Sequence, residues 1–362
     1  MNVHFFTGFP GFIASELIKG LIIKGKLEKL YVLVLESELT QAEKILLEIR
    51  EDLDEHFEFE IILGDITLEN LGMNEVEYSK IWGEELVIWH LAAIYDLAVK
   101  KEIAWKVNVD GTQMVCNFVR THPSITQFIY FSTAYVAGNR EGKVLETELI
   151  RPTGFKNHYE ETKFEAECLV EQLKNDAAVT IIRPGIVRGH SKTGETIKFD
   201  GPYFFMNMID KIKWMPIIPY LGKSDANINV VPVDYIIDAT VFFVGLESAL
   251  GKTIHLTDPA PHLVENVYKA MVKELAGKEP KGRFPRKLAE KGLSSKWLQR
   301  KLGVEVESLA YLTWNANFDT TIAEELLADS YIQCADFIAT IPAMSRFYKE
   351  NKKQKKFHVI IR

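Results

Sequence analysis

Short apolar runs alternate with amphipathic stretches through the first half of the chain. Six of these runs have the length and side-chain content of buried strands, and they lie at 3–6, 30–35, 60–65, 86–91, 127–133 and 179–187. Segments with helical periodicity separate them, such as 15–23 and 40–53. Strands that alternate with helices predict a parallel sheet covered by helices on both faces. The predicted fold class is therefore α/β, with a doubly wound parallel sheet of the Rossmann type.

The pattern changes after residue 188. Residues 189–222 are rich in glycine, proline and aromatic residues, which is not typical of a strand followed by a helix. Residues 228–247 and 253–256 again contain strand-like runs, and we expect the former to return to the sheet; helical signals dominate the remainder. The predicted division is a dinucleotide-binding domain over 1–188, joined by about 228–247, and a smaller, mostly helical substrate region over 189–362.

The first predicted strand runs directly into a glycine turn and then a helix. Gly8 permits a tight turn, Gly11 removes a side chain that would block a pyrophosphate from the backbone, and Ala14 lets the helix pack close to the sheet. The helix N-terminus directs unpaired N–H groups toward phosphate oxygens. The order predicts a dinucleotide site, although an ordinary strand–helix turn has the same outline. The residues of this predicted site are Thr7, Gly8, Phe9, Pro10, Gly11, Phe12 and Ile13.

Other cofactor contacts are predicted where later strands end. Glu36 follows the second strand, where a carboxylate can accept hydrogen bonds from the adenosine ribose and favour NAD over NADP; it is otherwise a solvated loop residue. Asp65 ends the third strand, where it either meets the adenine amino group or caps a turn. Ala92 and Ala93 are small residues after the fourth strand, which lets a cofactor lie across the sheet edge.

A tyrosine and a lysine lie four residues apart in a helical segment, so both face the same side of the helix. An ordinary phenol titrates near ~10, but a nearby ammonium and an oxidised nicotinamide both favour the phenolate. Tyr159 can then exchange a proton with a substrate oxygen while Thr133 hydrogen-bonds that oxygen, and Lys163 also holds the nicotinamide ribose; a plain surface helix is the alternative. Asn108, in apolar surroundings, either holds a water near the active site or satisfies backbone groups.

Composition narrows the class of protein. The 362 residues are 26% charged and 47% hydrophobic, as in ordinary globular proteins, and the net charge of -7 argues against general nucleic-acid binding. The cysteines are odd in number and lack metal-like spacing, which predicts free thiols in a reducing compartment and no metal site. No apolar run reaches the ~20 residues of a membrane span. With the glycine turn starting at residue 7, leaving no room for a signal peptide, we expect a cytoplasmic enzyme.

Several motifs occur together in the order typical of one enzyme group. They are Thr7-Gly8-x-x-Gly11-Phe12-x-Ala14, Gly64-Asp65, His90-x-Ala92-Ala93, Val107-Asn108-x-x-Gly111-Thr112, Tyr159-x-x-x-Lys163 and Arg183-Pro184. Over residues 3–260 the chain thus resembles the extended short-chain dehydrogenase/reductases. Residues 131–138 and 182–194 resemble the subgroup of fatty acyl-CoA reductases, or male sterility proteins, and thioester reductase domains; 317–320 are similar to the C-terminal region of that subgroup.

The resemblance implies Thr133, Tyr159 and Lys163 as the catalytic set, with Asn108 as a candidate fourth member. It further implies reduction of an acyl thioester or its aldehyde, with NADP or NAD as cofactor. Many members use NADPH and carry an arginine where the second strand ends, a place that Leu35-Glu36 takes here. No adenylation or carrier pattern is present, so we expect coenzyme A or an acyl carrier protein to deliver the thioester. The cofactor contacts predicted beyond the glycine turn are Glu36, Asp65, Ile66, Leu91, Ala92, Ala93, Ser132, Tyr159, Lys163, Pro184, Gly185 and Ile186.

Two further features of the C-terminal half bear on the substrate. Lys278–Lys301 holds nine Lys or Arg residues against two Glu, which suits either the phosphates of coenzyme A, the acidic face of a carrier protein, or a solvated helix face. Six apolar residues of the preceding region either line an acyl channel or pack in a core. They are Tyr203, Phe204, Phe205, Met206, Met208 and Trp214.

Two other functions fit the same motifs. A nucleotide-sugar epimerase or dehydratase uses the same fold and the same Tyr–Lys pair, but returns its hydride within each turnover. A non-catalytic protein that senses NAD(P) needs the glycine turn but no acid–base group. The presence of Thr133, Tyr159 and Lys163 favours an oxidoreductase over such a sensor.

Overall fold

The computed structural model describes residues 2–55, 57–96 and 99–359. Its strands are β1 Val3–Thr7, β2 Lys29–Val34, β3 Glu58–Leu63, β4 Leu86–His90, β5 Ile125–Phe131, β6 Gly142–Val144, β7 Val179–Pro184, β8 Ile186–Arg188, β9 Tyr220–Leu221, β10 Val230–Pro232, β11 Thr253–Leu256, β12 Arg283–Phe284 and β13 Ala316–Phe318. Its α-helices are α1 Phe12–Ile23, α2 Leu39–Leu53, α3 Glu75–Ile81, α4 Lys101–Trp105, α5 Gly111–Thr121, α6 His158–Leu173, α7 Tyr203–Ile212, α8 Val233–Phe243, α9 Val264–Ala276, α10 Arg286–Leu293, α11 Lys296–Leu302, α12 Thr321–Leu327 and α13 Phe337–Asn351.

The central sheet has seven strands in the order β11-β7-β5-β4-β1-β2-β3. All neighbouring pairs are parallel, which confirms the predicted doubly wound α/β sheet. The chain order reverses between β1 and β4, and the carboxyl ends of these two strands flank a crevice where ligands of such sheets bind. The glycine turn after β1 lies at this crevice.

One strand prediction differs from the structure. The apolar run 179–187 divides at Gly185: β7 stays in the sheet, whereas β8 leaves it and pairs with β10. The Gly185 N–H still donates to the Leu256 carbonyl, but the Ile186 N–H donates to that of Asn229, so the backbone changes partner within two residues. The run at 229–234 therefore joins β8 and not the central sheet, whose edge strand is β11.

Alternate residues of the strands build two apolar layers. Phe5, Ile88 and Phe128 share one face of the sheet and pack in a core with residues of α3, α5 and α6. Phe6 and Trp89 lie on the other face, with ring centroids 4.9 Å apart, in a core formed with α1, α2 and α8. Helices thus cover both faces, as apolar strands of a parallel sheet require.

A second core lies in the C-terminal half, between α7, α9 and α13. The α7 residues Tyr203, Phe204, Met206 and Met208 are buried in it, so they are core residues, while Trp214 is 78% exposed. Helix α8 packs against α1 instead and belongs to the first core. The division of the chain at residue 188 stays a prediction.

Candidate active site

Two positions of the turn require glycine because other backbone atoms lie too close for a side chain. Gly8 has φ +89°, and a Cβ there would lie 2.6 Å from the Ala92 amide nitrogen. The Gly11 N–H donates to the Gly8 carbonyl (2.9 Å), and a Cβ on Gly11 would lie 2.6 Å from that oxygen. Helix α1 then begins at Phe12 with Gly11 as its N-cap residue and no side-chain cap. The first-turn N–H groups therefore remain available for an anion, so this turn fits a pyrophosphate.

Three polar side chains form a row across the sheet beside this turn. The strand register pairs Thr7 with His90, and His90 with Tyr130, so all three lie on one face near the carboxyl ends of β1, β4 and β5. Each is at most 1% exposed. A buried polar group needs a partner, and hydrogen bonds within this row and to its neighbours supply one for each.

His90 connects Thr7, at the start of the glycine turn, to Thr112 of α5. Its Nδ1 lies 2.8 Å from the Thr7 Oγ1 and its Nε2 lies 3.0 Å from the Thr112 Oγ1. Burial lowers the pKa of His90 to about 3, so the ring is neutral. With the proton on Nε2, Thr7 donates to His90, His90 donates to Thr112, and Thr112 donates to the Asn108 carbonyl (2.7 Å). This arrangement gives each acceptor one donor.

Lys163 contacts the row of Thr7, His90 and Tyr130 through its last member. Its ammonium donates to the Tyr130 hydroxyl (2.9 Å) and to the Phe131 carbonyl (2.6 Å). Burial lowers the pKa of Lys163 to about 7, an effect that the carboxylate of Glu167 partly opposes. Lys163 is therefore held by Tyr130, the strand neighbour of His90, beside the hydrogen-bonded groups that reach the glycine turn.

Tyr159 and Thr133 are brought together as predicted from the sequence. The Thr133 hydroxyl lies close enough to the Tyr159 phenol to lower its pKa, and it accepts the Tyr135 N–H (3.3 Å). Without a cofactor, burial raises the pKa of Tyr159 to about 12, an effect larger than the lowering by the nearby Thr133 hydroxyl, so the side chain is a neutral phenol. A lower Tyr159 pKa beside an oxidised nicotinamide stays a prediction.

Asn108 lies in a π-helical turn, Lys106–Asp110, between α4 and α5. Its amide oxygen accepts the Ile94 N–H (2.8 Å), and its amide nitrogen donates to the Ile94 carbonyl and the Thr162 hydroxyl (both 3.0 Å). Of the two roles that the sequence left open for Asn108, the structure shows the hydrogen bonds to backbone groups. These contacts fix the loop after β4 to α6, the helix of Tyr159; a catalytic role for Asn108 stays a prediction.

Ser132 has a different environment from the one predicted. Its buried hydroxyl donates to Glu167, whose other carboxylate oxygen accepts from the Arg183 guanidinium (2.5 and 2.9 Å). The guanidinium also contacts the ring of His255 on β11 (3.1 Å). Because the Ser132 hydroxyl donates its proton to Glu167, it is not a free donor for a cofactor. A cofactor contact through its hydroxyl oxygen or its backbone stays a prediction.

The remaining residues predicted to contact the cofactor differ in exposure and in the groups they contact. Glu36 is exposed in a short turn just beyond β2. The Asp65 carboxylate accepts the Thr67 N–H (2.8 Å), so it caps a turn, and Ile66 packs where a Cβ on Gly111 would collide with it. The others are Leu91, Ala92 and Ala93, half-buried after β4; Pro184, buried in β7; Gly185, against Asn229; and Ile186, which packs on the second core.

A segment from the C-terminal half docks beside Tyr159. The Tyr311 hydroxyl donates to the buried carboxylate of Glu160 (2.7 Å) and accepts from the Asn157 side chain (2.9 Å). The Lys156 ammonium lies 3.5 Å from the centroid of the Trp314 ring. The first turn of α6 is thereby held between the sheet and a segment more than a hundred residues later in the chain.

Sequence reasoning missed the neighbours of the candidate catalytic set, namely Tyr130, Thr112 and Glu167. A signal for the first was present, because Thr7, His90 and Tyr130 are each a polar residue at or next to the end of an apolar strand. Parallel strands place their carboxyl ends at one sheet edge. Glu167 and Arg183 lie 16 residues apart and gave no such signal.

A family model described as "Male sterility protein" matches residues 6–240, from the glycine turn to α8. The chain belongs to this family. The match confirms the resemblance drawn from the motifs, and it includes Thr133, Tyr159 and Lys163.

Curated relatives of this male sterility family chain share about a quarter of their residues with it. An alcohol-forming fatty acyl-CoA reductase of Simmondsia chinensis is 24% identical over 50% of this chain and 47% of its own length. The fatty acyl-CoA reductase wat of Drosophila melanogaster is 27% identical over 49% and 40%. The oxidoreductase fscA of Fusarium equiseti, described as NRPS-like, is 25% identical over 52% and 18%. The chain thus matches less than half the length of each.

Solved structures show the same fold along nearly the whole chain. The terminal R domain of the myxalamid PKS-NRPS biosynthetic pathway superimposes with a TM-score of 0.81 at 23% identity, over 98% of this chain and 92% of that one. UDP-glucuronic acid 4-epimerase from Bacillus cereus, in complex with NAD, has a TM-score of 0.63 at 18% identity, over 96% and 99%. These likenesses establish the fold of this male sterility family member.

Proposed function

We propose that this chain is an NAD(P)H-dependent oxidoreductase that reduces an acyl thioester, or the corresponding aldehyde. One arrangement carries the proposal: the Tyr159 phenol lies beside the Thr133 hydroxyl, one helical turn from Lys163, at the sheet edge that the glycine turn flanks. The fatty acyl-CoA reductases among the relatives support acyl thioesters as the substrate class. The NAD complexes among similar folds support a nicotinamide cofactor.

The residues present fit that cofactor. The uncapped start of α1 would hold the pyrophosphate, and the half-buried Ala92 and Ala93 leave room beside the crevice. Glu36 would accept hydrogen bonds from the adenosine ribose, and its negative charge disfavours a 2′-phosphate, so NAD is the proposed form. Bound in its reduced form, the cofactor supplies a hydride to the carbonyl carbon.

The protein supplies the proton. Because the Tyr159 pKa is raised, the phenol carries its proton at neutral pH and is a general acid. It donates that proton to the substrate oxygen as negative charge develops there, and the Thr133 hydroxyl donates a second hydrogen bond to the same oxygen. One hydride and one proton convert a thioester into a thiohemiacetal, which separates into a thiol and an aldehyde.

Lys163 has a positioning role in the free protein. Its ammonium is held by Tyr130 and the Phe131 carbonyl, which places it one turn from the Tyr159 phenol on α6. A positive charge there favours the phenolate that remains after proton transfer. Asn108 contributes by holding the loop after β4 against α6 through Ile94 and Thr162.

The test is an assay of nicotinamide oxidation by the full chain. Acyl-CoAs of increasing length, acyl carrier protein thioesters and free aldehydes are each supplied with NADH or NADPH. The proposal expects stoichiometric cofactor consumption with thiol release from a thioester, lost in Tyr159→Phe and retained in the exposed control Tyr331→Phe. Turnover of a nucleotide sugar without net oxidation would establish an epimerase instead, and cofactor binding without any turnover would establish a sensor.

A further inference from the structure

An unusual set of apolar side chains is exposed in the C-terminal half. Trp214 is 78% exposed, Trp297 66%, Ile217 56%, Leu288 54% and Phe284 42%. Scattered exposed apolar residues are ordinary, but tryptophan is rarely so accessible. These five residues come from two segments, 213–222 and 278–301.

The fold brings these two segments into contact. The Lys278 ammonium donates to the carbonyls of Lys213 and Met215, both at 2.8 Å. Strands β9 and β12 pair, with Phe284 opposite Leu221. Helix α10 follows β12 directly and packs against α11, which carries Trp297. We call the surface of residues 213–222 and 278–301 the basic aromatic surface.

The charge of this surface is opposite to that of the chain. Residues 278–301 hold nine Lys or Arg and two Glu, whereas the whole chain has a net charge of -7. Both acidic groups are neutralised, Glu279 by Lys269 (3.0 Å) and Glu290 by Arg286 (2.6 Å). Five exposed lysines of residues 278–301, a segment that the structure describes throughout, form no ion pair within 4 Å. They are Lys281, Lys287, Lys291, Lys296 and Lys301.

We propose that the basic aromatic surface binds the surface of a bilayer that contains anionic phospholipids. Tryptophan and leucine side chains settle at the boundary between headgroups and acyl chains, and flexible lysines reach anionic headgroups from there. No helix of the described residues is long and apolar enough to cross a bilayer. The binding proposed is therefore peripheral, with the side chains inserted and the fold outside the bilayer.

Two contacts favour lipid over an acidic protein as the partner. The Trp214 indole N–H already donates to the Lys211 carbonyl (2.9 Å), so the exposed part of the ring is apolar. An acidic protein is best held by paired contacts from arginine, but Arg283 is bound to Glu265 (2.5 and 3.0 Å) and Arg286 to Glu290. Lysines and apolar rings are the groups that remain.

The experiment is co-sedimentation of the full chain with vesicles of phosphatidylcholine alone or mixed with phosphatidylserine. We expect binding to the anionic vesicles only, weakened by salt, together with quenching of tryptophan emission by brominated lipid. Lys281→Glu, Lys287→Glu and Lys291→Glu combined should weaken binding at least tenfold. The double variant Trp214→Ser with Trp297→Ser should remove the quenching.

Matched control variants distinguish binding by the basic aromatic surface from an effect of the net charge of the chain. Charge reversal of Lys24, Lys44 and Lys192, which are exposed on other parts of the chain, changes net charge equally and should leave most of the binding. The proposal is overturned if the chain does not sediment with anionic vesicles, or if both sets of reversals weaken binding equally. Binding to an acidic acyl carrier protein through the same lysines, with no vesicle binding, would also overturn it. Circular dichroism of each variant checks that the fold is intact.

Discussion

Lys163→Met should stabilise the cofactor-free protein at low pH while it abolishes the proposed reductase activity. Lys163 is 4% exposed, and burial lowers its pKa from 10.5 to about 7. The unfolded chain therefore binds this proton up to about pH 10.5, whereas the folded chain releases it from about pH 7 upward. Stability rises with pH in that window, because the unfolded state binds more protons. Below the window the folded state carries the full penalty of about 5 kcal/mol.

The change in the free energy of unfolding is the burial penalty of the charged lysine, which methionine removes, less the hydrogen bonds of Lys163, which methionine cannot form. At about pH 6 nearly the whole penalty is present, and at about pH 9 roughly 2 kcal/mol of it remains. The variant loses the hydrogen bonds to the Tyr130 hydroxyl and the Phe131 carbonyl, which contribute about 1 kcal/mol each. We therefore expect a net gain of about 3 kcal/mol at the lower pH, or about 4 °C in Tm for a chain of this length, and a gain near zero at the higher pH.

The assay is thermal unfolding followed by circular dichroism, from about pH 6 to about pH 9, without cofactor. The wild type, Lys163→Met and a control, Lys44→Met, are compared at each pH; the Lys44 side chain is 67% exposed. The difference between wild type and variant isolates Lys163 from other groups that titrate in this range. A difference in Tm that does not change with pH, or a variant less stable at every pH, would refute the reasoning.

Three further predictions concern the proposed reaction. Tyr159→Phe should lower turnover by about 10²–10⁴-fold, because the general acid is lost, with cofactor affinity by fluorescence titration unchanged; a smaller loss contradicts its role. Gly8→Ala should abolish cofactor binding in the same titration, since φ is +89° and the added Cβ would lie 2.6 Å from the Ala92 nitrogen; normal affinity would show that the turn tolerates a side chain. Glu36→Ala should raise the KM for NADH more than that for NADPH, and an equal change for both would remove its proposed role at the ribose.

The structure also explains why some local inferences succeeded. The glycine turn and the Tyr159–Lys163 spacing were readable from the sequence because they depend on neighbours within one turn or one helix, where periods of 2 and 3.6 residues set the geometry. The division of the run at 179–187 was only partly readable. Pro184 lies next to the point of division, but the new partner of β8 is a strand some forty residues away.

The environment of each catalytic group was decided by long-range packing. The sequence by itself determined the parallel sheet, the position of the nucleotide turn and the helix face shared by Tyr159 and Lys163, since each follows from local periodicity and spacing. Only the tertiary structure placed Tyr130 against Lys163 and raised the Tyr159 pKa. The register between strands and the burial of a side chain by distant helices depend on many contacts between residues far apart in the chain. A local sequence pattern does not contain this information.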